Sequence, residues 1–236
     1  MPNVLQTNIH TIKPTMHNSS GKHYNKERAI ISLTSWKARI GTVVKTLFSL
    51  YKQCPGFHIV LVLSEDEFPQ KENELPENLM LFVNNDIVEI LWVKRNYRSM
   101  KKCIFTMEKY PDVPVITADD DCIYTCNYAQ NLYNAWNKHK DTIFRYVKRK
   151  GHNRKPQGPC TIYPPENICH LRKRIEPFIE YGISVGDDDA IARAINTYNL
   201  KINCLNMPIP FIFHTTIGAM HKCQKNVAFY NGCFIK

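Results

Sequence analysis

From Ile59 to Leu63 the chain runs Ile-Val-Leu-Val-Leu, the centre of an almost purely apolar stretch from Phe57 to Leu63. A strand with no polar face must be covered on both sides, which places it inside a sheet flanked by helices. The surrounding pattern agrees. Ala29 to Thr34 predicts a first strand, and Gly41 to Tyr51 carries Val43, Val44, Leu47 and Leu50 at helical spacing. Ser64 to Leu79, acidic and punctuated by proline, reads as a loop with one helical turn. Ile87 to Val93 predicts a third strand, Ser99 to Tyr110 a helix, and Val113 to Ala118 a fourth strand in which Pro114 fits only near the start. Tyr128 to Lys140 reads as a helix and Thr142 to Val147 as extended. Asp187 to Tyr198 predicts a helix with Ile191, Ala194, Ile195 and Tyr198 on one face, and Leu200 to Leu205 and Ile209 to Phe213 are closing strands. Strand alternating with helix gives an α/β fold with a mainly parallel central sheet and helices on both faces. Such sheets bind ligands at the carboxyl ends of their strands, so function is expected just after Thr34, Leu63, Val93 and Ala118.

The 236 residues suffice for one such domain, expected over residues 28–236. Residues 1–27 are rich in Asn, Thr, His, Ser and Lys and lack an apolar core, so a poorly ordered leader is expected there, not a signal peptide. No apolar run approaches the roughly 20 residues of a membrane span, and a cytoplasmic protein is expected. Nine cysteines, an odd number, read as free and mostly buried thiols. Cys122 and Cys126 are separated by three residues and so do not form a redox pair. The net charge of +10 points to anionic partners: nucleic acid, an anionic membrane surface touched peripherally, or a phosphorylated substrate. Its clusters are Lys94, Arg95, Arg98, Lys101 and Lys102; Arg145 to Lys155; and Arg172 to Arg174. The second contains Gly151 and leads into Pro156 and Pro159, which predicts a mobile basic loop.

Six of the ten aspartates fall in two triplets, Asp119-Asp120-Asp121 and Asp187-Asp188-Asp189. The first follows the fourth strand, where the crevice is expected. In an extended segment Asp119 and Asp121 would project to one side and Asp120 to the other. Facing carboxylates repel unless a cation lies between them, and hard oxygen donors suit Mn²⁺ or Mg²⁺ shared with substrate phosphates. An acidic turn capping the strand is the simpler alternative. The second triplet follows Gly186 and opens a helix. Asp187 could be its N-cap, and acids in the first turn oppose the helix dipole favourably; three are more than capping needs, which invites a general base.

Several stretches resemble small bacterial glycosyltransferases related to glycosyltransferase family 2. They are Ile30 to Ile40, Leu63 to Pro69, Tyr97 to Lys102, Tyr110-Pro111, Ile116 to Tyr124, Thr161 to Pro165 and Gly186 to Ile191. The resemblance runs from about Ala29 to Ile212. It implies a GT-A fold, a divalent metal and a nucleotide-diphosphate sugar as donor. By position in the family's motifs, Thr34, Ser35 and Arg39 would lie at the nucleotide and Glu65 near the base. Asp119 would touch ribose or metal, Asp120 the substrate, and Asp121 the metal. Asp188, with Ile191 three residues on, maps to the general base, and Asp189 leaves the register open by one residue. His214, after the Phe211 to Phe213 segment, maps to a late metal-binding histidine; a structural histidine is the alternative.

The implied reaction moves a sugar to a glycan or lipid-linked acceptor, with inversion. Arg98, Lys101 and Lys102 are candidate cations for the diphosphate; opposite faces of one helix carry the two lysines, so only one of them, taken as Lys102, is expected to point at phosphate. Two other classes fit parts of the sequence. A nucleic-acid-binding protein explains the charge and not the carboxylates, so no nucleic acid is expected. A two-metal phosphoesterase or nuclease explains both.

Overall fold

A computed structural model describes residues 28–53, 56–146, 155–156, 158–180 and 186–215. The expected leader over residues 1–27 and most of the expected basic loop, residues 147–154, lie outside the described residues.

The apolar run becomes β2 (Phe57–Ser64), paired in parallel with β1 (Ala29–Thr34) on one side and β3 (Val88–Val93) on the other. β4 (Val115–Thr117) adds in parallel to the far edge of β1, with Pro114 just before its start. Beyond it come β7 (Thr161–Tyr163), β6 (Thr142–Arg145) and β8 (Lys201–Cys204), so the seven-stranded sheet runs β3-β2-β1-β4-β7-β6-β8. Only β7 runs against the others. A separate antiparallel pair, β5 (Cys122–Tyr124) with β9 (Phe211–Phe213), stands beside the sheet.

Alternation along the strands divides the core into two layers. Ile31, Leu33, Ile59, Leu61, Leu63 and Ile116 face α1 (Val43–Tyr51), α2 (Glu77–Asn84) and α4 (Tyr128–Lys138), meeting Leu47, Phe82 and Leu132. Ile30, Val60, Val62 and Val115 face α3 (Lys101–Lys109), α5 (Ile168–Glu180) and α6 (Asp187–Thr197), meeting Ile104, Leu171 and Ile191. Each buried Leu or Ile contributes about 1.5–3 kcal/mol, so both layers are needed for stability. In α6 the stripe Ala190, Ile191, Ala194 and Ile195 is buried. The helix ends where Asn199 turns left-handed (φ 48°) and Leu200 N–H closes back on the Ile195 carbonyl at 2.9 Å.

Two helices depart from the sequence reading. α2 lies partly in the stretch read as a loop, because Pro76 stands directly before its first turn and acts as a start signal. α5 absorbs the third basic cluster, Arg172 to Arg174; Pro177 inside it had masked the helical pattern. Arg145, read as the first residue of the basic loop, is instead the buried last residue of β6. The described cysteines are free; Cys103, Cys122 and Cys160 are buried, while Cys126 and Cys169 are exposed. Among the described residues no helix is long and apolar enough to cross a membrane.

Candidate active site

β1 and β4 are neighbours, so the loops at their carboxyl ends meet. Ala118 N–H still bonds the Ser32 carbonyl at 2.8 Å; beyond it the backbone leaves the sheet and turns over Asp120 and Asp121. The extended geometry expected for the first triplet is thereby corrected. In a turn, Asp120 and Asp121 converge on a single guanidinium: Arg39 Nη1 lies 2.5 Å from Asp120 Oδ1 and 3.2 Å from Asp121 Oδ2. Ser35 Oγ donates to Asp120 Oδ2 at 2.6 Å. Ser35, Arg39 and Asp120 are all buried. Burial raises the proton affinity of Asp120 against the pull of Arg39 and Ser35.

Asp119 takes another direction. Its carboxylate pairs with Lys102 of α3, and its backbone N–H donates to Tyr124 Oη at 2.7 Å. Lys102 is 2% exposed and reaches Asp187 Oδ2 at 2.9 Å as well. One ammonium therefore joins the two triplets. Lys102, expected at the diphosphate, is thus buried between two carboxylates. Lys101 is equally enclosed, with Nζ 3.2 Å from Glu67 and 3.0 Å from Asn96 Oδ1. Of the two carboxylates on Lys102, Asp187 is held below the usual range: burial would raise it, and Lys102 outweighs burial. Asp119 is pushed up to about 6 by burial, partly offset by Lys102, with Asp187 and Asp121 adding to the rise. Of its side chain 30% stays exposed.

Gly186, not Asp187, is the N-cap of α6, and the second triplet fills the first turn. Its members go three ways. Asp187 turns inward to Lys102, and Asp189 turns outward to Lys155 Nζ at 2.5 Å. Asp188 faces the backbone of Gly158: a Cβ built there would lie 3.3 Å from Asp188 Oδ1, 3.4 Å from Asp119 Oδ2 and 3.4 Å from Lys102 Nζ.

His214, just after β9, is drawn in by the acid turn, its backbone N–H donating to the Asp121 carbonyl at 2.9 Å. Its Nε2 lies 3.2 Å from the Asp120 carbonyl and 3.0 Å from Thr46 Oγ1. Thr46, buried in α1, donates to the Asp120 and Cys122 carbonyls at 3.0 and 2.8 Å. Among the described residues His214 Nδ1, which is buried, has no hydrogen-bond partner. Burial holds the ring's pKa below the usual value, so the imidazole is neutral near pH 7 and Nδ1 can keep its lone pair.

The remaining expected residues sit at the same end of the sheet. Thr34 donates to the Val62 carbonyl at 2.7 Å. Glu65, at the end of β2, pairs with Lys71 at 3.1 Å and keeps 39% of its side chain exposed. Arg98 is exposed, with a left-handed φ of 51° just ahead of α3. Gly158, Thr46, Tyr124 and the ion-pairing role of Asp187 were not anticipated. Thr46 alone carried a signal, as a polar residue in phase with the apolar stripe of α1.

Among the described residues no group of three or more His, Cys, Asp and Glu side chains is spaced to hold a metal. The donor chemistry nevertheless suits a cation shared with a substrate. Asp119 supplies a partly exposed carboxylate and Asp121 a second one, and a hard cation commonly takes one or two carboxylates with phosphate oxygens completing its shell. His214 Nδ1, without a hydrogen-bond partner among the described residues, is a further nitrogen on the segment bonded to the Asp121 carbonyl.

No known protein-family profile matches the sequence, and no curated protein matches it. Solved structures match the fold. PcManGT, a mannosyltransferase from Pyrobaculum calidifontis solved in complex with GDP-Man and Mn²⁺, superposes with a TM-score of 0.56 at 13% identity, covering 91% of this chain and 65% of that one. Residues 1–349 of S. aureus TarS give a TM-score of 0.50 at 14% identity, covering 78% and 59%. The chain thus spans less than two thirds of either. The α/β fold with a mainly parallel central sheet expected from the sequence is the fold observed, and it is shared with these proteins.

Proposed function

We propose that the chain is a glycosyltransferase of GT-A fold that transfers a sugar from a nucleotide-diphosphate sugar to a hydroxyl of a glycan or lipid-linked acceptor, with inversion and with divalent-metal dependence. One observation carries the reading: in a fold shared with a mannosyltransferase, the two acid triplets meet across Gly158. A two-metal phosphoesterase would need its acids clustered around paired ions about 4 Å apart. Here the acids are divided between Lys102 and Arg39, and among the described residues no group of three or more such side chains is spaced to hold even one ion by itself.

Ser35, Arg39, Thr34 and Glu65 line the side of the crevice where the nucleotide is expected. Mn²⁺ or Mg²⁺, held by Asp119 and Asp121 with His214 as a further candidate ligand, would supply positive charge to the diphosphate as it leaves. Asp188 accepts the acceptor hydroxyl's proton. The acceptor oxygen bonds the anomeric carbon as the sugar–phosphate bond breaks, and the electron pair departs with the diphosphate. Attack from the face opposite the leaving group inverts the anomeric centre. Asp188 is favoured for this role because its Oδ1 and Asp119 Oδ2 converge on the Gly158 backbone, which brings it beside the donor-side acid. The positive balance of the chain supports an anionic or membrane-borne acceptor.

A thermal-shift screen of nucleotide sugars with Mn²⁺ tests the reading. A true donor at 100 times its Kd stabilises by about 2.7 kcal/mol, and incubation should then release nucleoside diphosphate. Absence of stabilisation by every nucleotide sugar, with phosphodiester cleavage instead, would overturn it.

A further inference from the structure

We infer that the outer face of α1, together with the β5–β9 pair, is a docking surface for an anionic lipid membrane. The inference stands apart from the donor chemistry of the proposed function and adds to it the surface on which a membrane-borne acceptor would be met.

Apolar exposure is concentrated in one place. Of the seven large apolar side chains exposed among the described residues, four (Met207, Ile209, Ile212 and Phe213) fall on β9 and the segment leading into it. Ile212 is 70% exposed and Phe213 57%. Grouped apolar surface left in water marks an interaction site, where scattered single residues do not. Ile212 stands opposite Ile123 of β5, and Ile123 lines a cavity of about 370 Å³ between β5 and α1. Phe48 and Tyr124 share the cavity wall, and so do Lys45 and Lys52, seven residues apart and therefore on one helical face.

The charge on this surface has one sign. Lys45 and Lys52 are both exposed, and neither has a carboxylate partner among the described residues. Lys52 Nζ sits 4.5 Å from the centre of the Phe48 ring, so its stem covers apolar surface while its charge stays at the rim. Residues 42–53, 122–138 and 205–215, which build the surface, contain no Asp or Glu. Apolar groups rimmed by cations, with no carboxylate among them, complement a bilayer with anionic headgroups: the ammonium groups meet phosphates while Ile212 and Phe213 enter the acyl boundary. The candidate active site adjoins this surface. β5 begins at the residue after Asp121, and His214, directly after Phe213, donates its backbone N–H to the Asp121 carbonyl at 2.9 Å. A membrane held at β9 thus lies beside the acid turn, and an acceptor anchored in it could present its hydroxyl without leaving the bilayer.

Co-sedimentation with vesicles of phosphatidylcholine, alone or mixed with phosphatidylglycerol, tests the assignment. The parent chain should pellet with the anionic vesicles and not with the neutral ones. Most of that binding should be lost at about 1 M salt, where charges are screened beyond about 3 Å. A basic residue near an anionic surface is worth roughly fivefold in affinity, so Lys45→Gln/Lys52→Gln should bind roughly 25-fold more weakly. Ile212→Gln alters a largely exposed side chain, should fold normally, and should weaken binding roughly tenfold by removing apolar surface. Lys94→Gln/Arg95→Gln removes the same charge from exposed positions just after β3 and should bind like the parent chain. Equal weakening by the two double variants, or no effect of Ile212→Gln, would overturn the inference. So would a parent chain that ignores anionic vesicles, or one that in light scattering self-associates through Ile212 instead, which would give the surface to a second copy of the chain. No nucleotide sugar enters these measurements, so their failure leaves the proposed function to its own screen.

Discussion

Lys102 of α3 lies 2.9 Å from Asp187 of α6, and the same ammonium pairs with Asp119 beyond β4. Two acidic clusters nearly seventy residues apart in sequence are thereby held on one buried cation.

Replacing that cation is expected to be costly. Lys102→Met keeps the stem and removes the charge, leaving Asp119 and Asp187 facing each other in a poorly solvated site. Breaking a buried pair on one side costs about 3–5 kcal/mol, and urea unfolding should register a loss of that size. Adding Asp187→Asn should recover part of it. A loss under about 1 kcal/mol would mean that water already screens the pair.

The three acids of α6 should separate cleanly. Asp188→Asn should preserve stability and donor binding and lower transfer by roughly 10²–10⁴, the usual contribution of a positioned general base. Asp187→Asn should act first on stability, by weakening the hold on Lys102. Asp189→Asn should be mild on both counts, because its carboxylate keeps 42% of its side chain exposed and pairs open to solvent are worth about 0–1 kcal/mol. Melting curves and turnover of the three variants decide the assignment; equal activity in all three would leave the triplet as a helix start alone.

Asp121→Ala should fold, since Arg39 keeps Asp120 and Ser35 keeps its hydrogen bond. What should vanish is the Mn²⁺-dependent part of nucleoside diphosphate binding. Titration with and without chelator measures it directly, and an undiminished Mn²⁺ effect would exclude Asp121 as a ligand.

Away from the site, Glu89 predicts an acid transition. Burial would raise its pKa, yet hydrogen bonds with His58 at 2.6 Å, Lys109 and Tyr110 at 2.5 Å bring it down to about 2. A depressed carboxyl contributes stability that is complete above its unfolded value near 4.5 and is lost as pH falls toward 2. At about 1.4 kcal/mol per unit the upper bound is about 3 kcal/mol, reduced by solvent screening. Urea unfolding of the parent and Glu89→Gln should therefore differ at pH 7, differ less at pH 3 and converge only below about pH 2. A difference that is constant with pH would remove the linkage.

The sheet was legible because burial on both faces leaves a signature that needs no context, as Ile59 to Leu63 shows. The acid triplets were legible for a related reason: uncompensated charge at the end of an apolar strand demands a partner. The identity of that partner was not. Spacing cannot reveal that Lys102 of a helix and Arg39 of a loop would divide the carboxylates between them, because the Arg39–Asp120 and Lys102–Asp187 pairs span more than eighty residues and depend on how layers stack. Gly158 was invisible for the opposite reason, having no side chain to carry a pattern. Local rules also misled where proline stood: Pro76 begins a helix and Pro177 sits within one.

The tie between Thr46, the acid turn and His214 has a bearing on how the protein is made. Chains emerge from the ribosome at roughly 5–20 residues per second, so the acid turn exists for on the order of 5–20 s before residue 214 follows it out. Over that interval Asp120 and Asp121 have Arg39 to neutralise them and Thr46 to hold the turn's backbone, both supplied earlier in the chain. A nascent chain can thus carry its acidic turn already shaped and charge-balanced, and β9 closes over a site that is waiting for it.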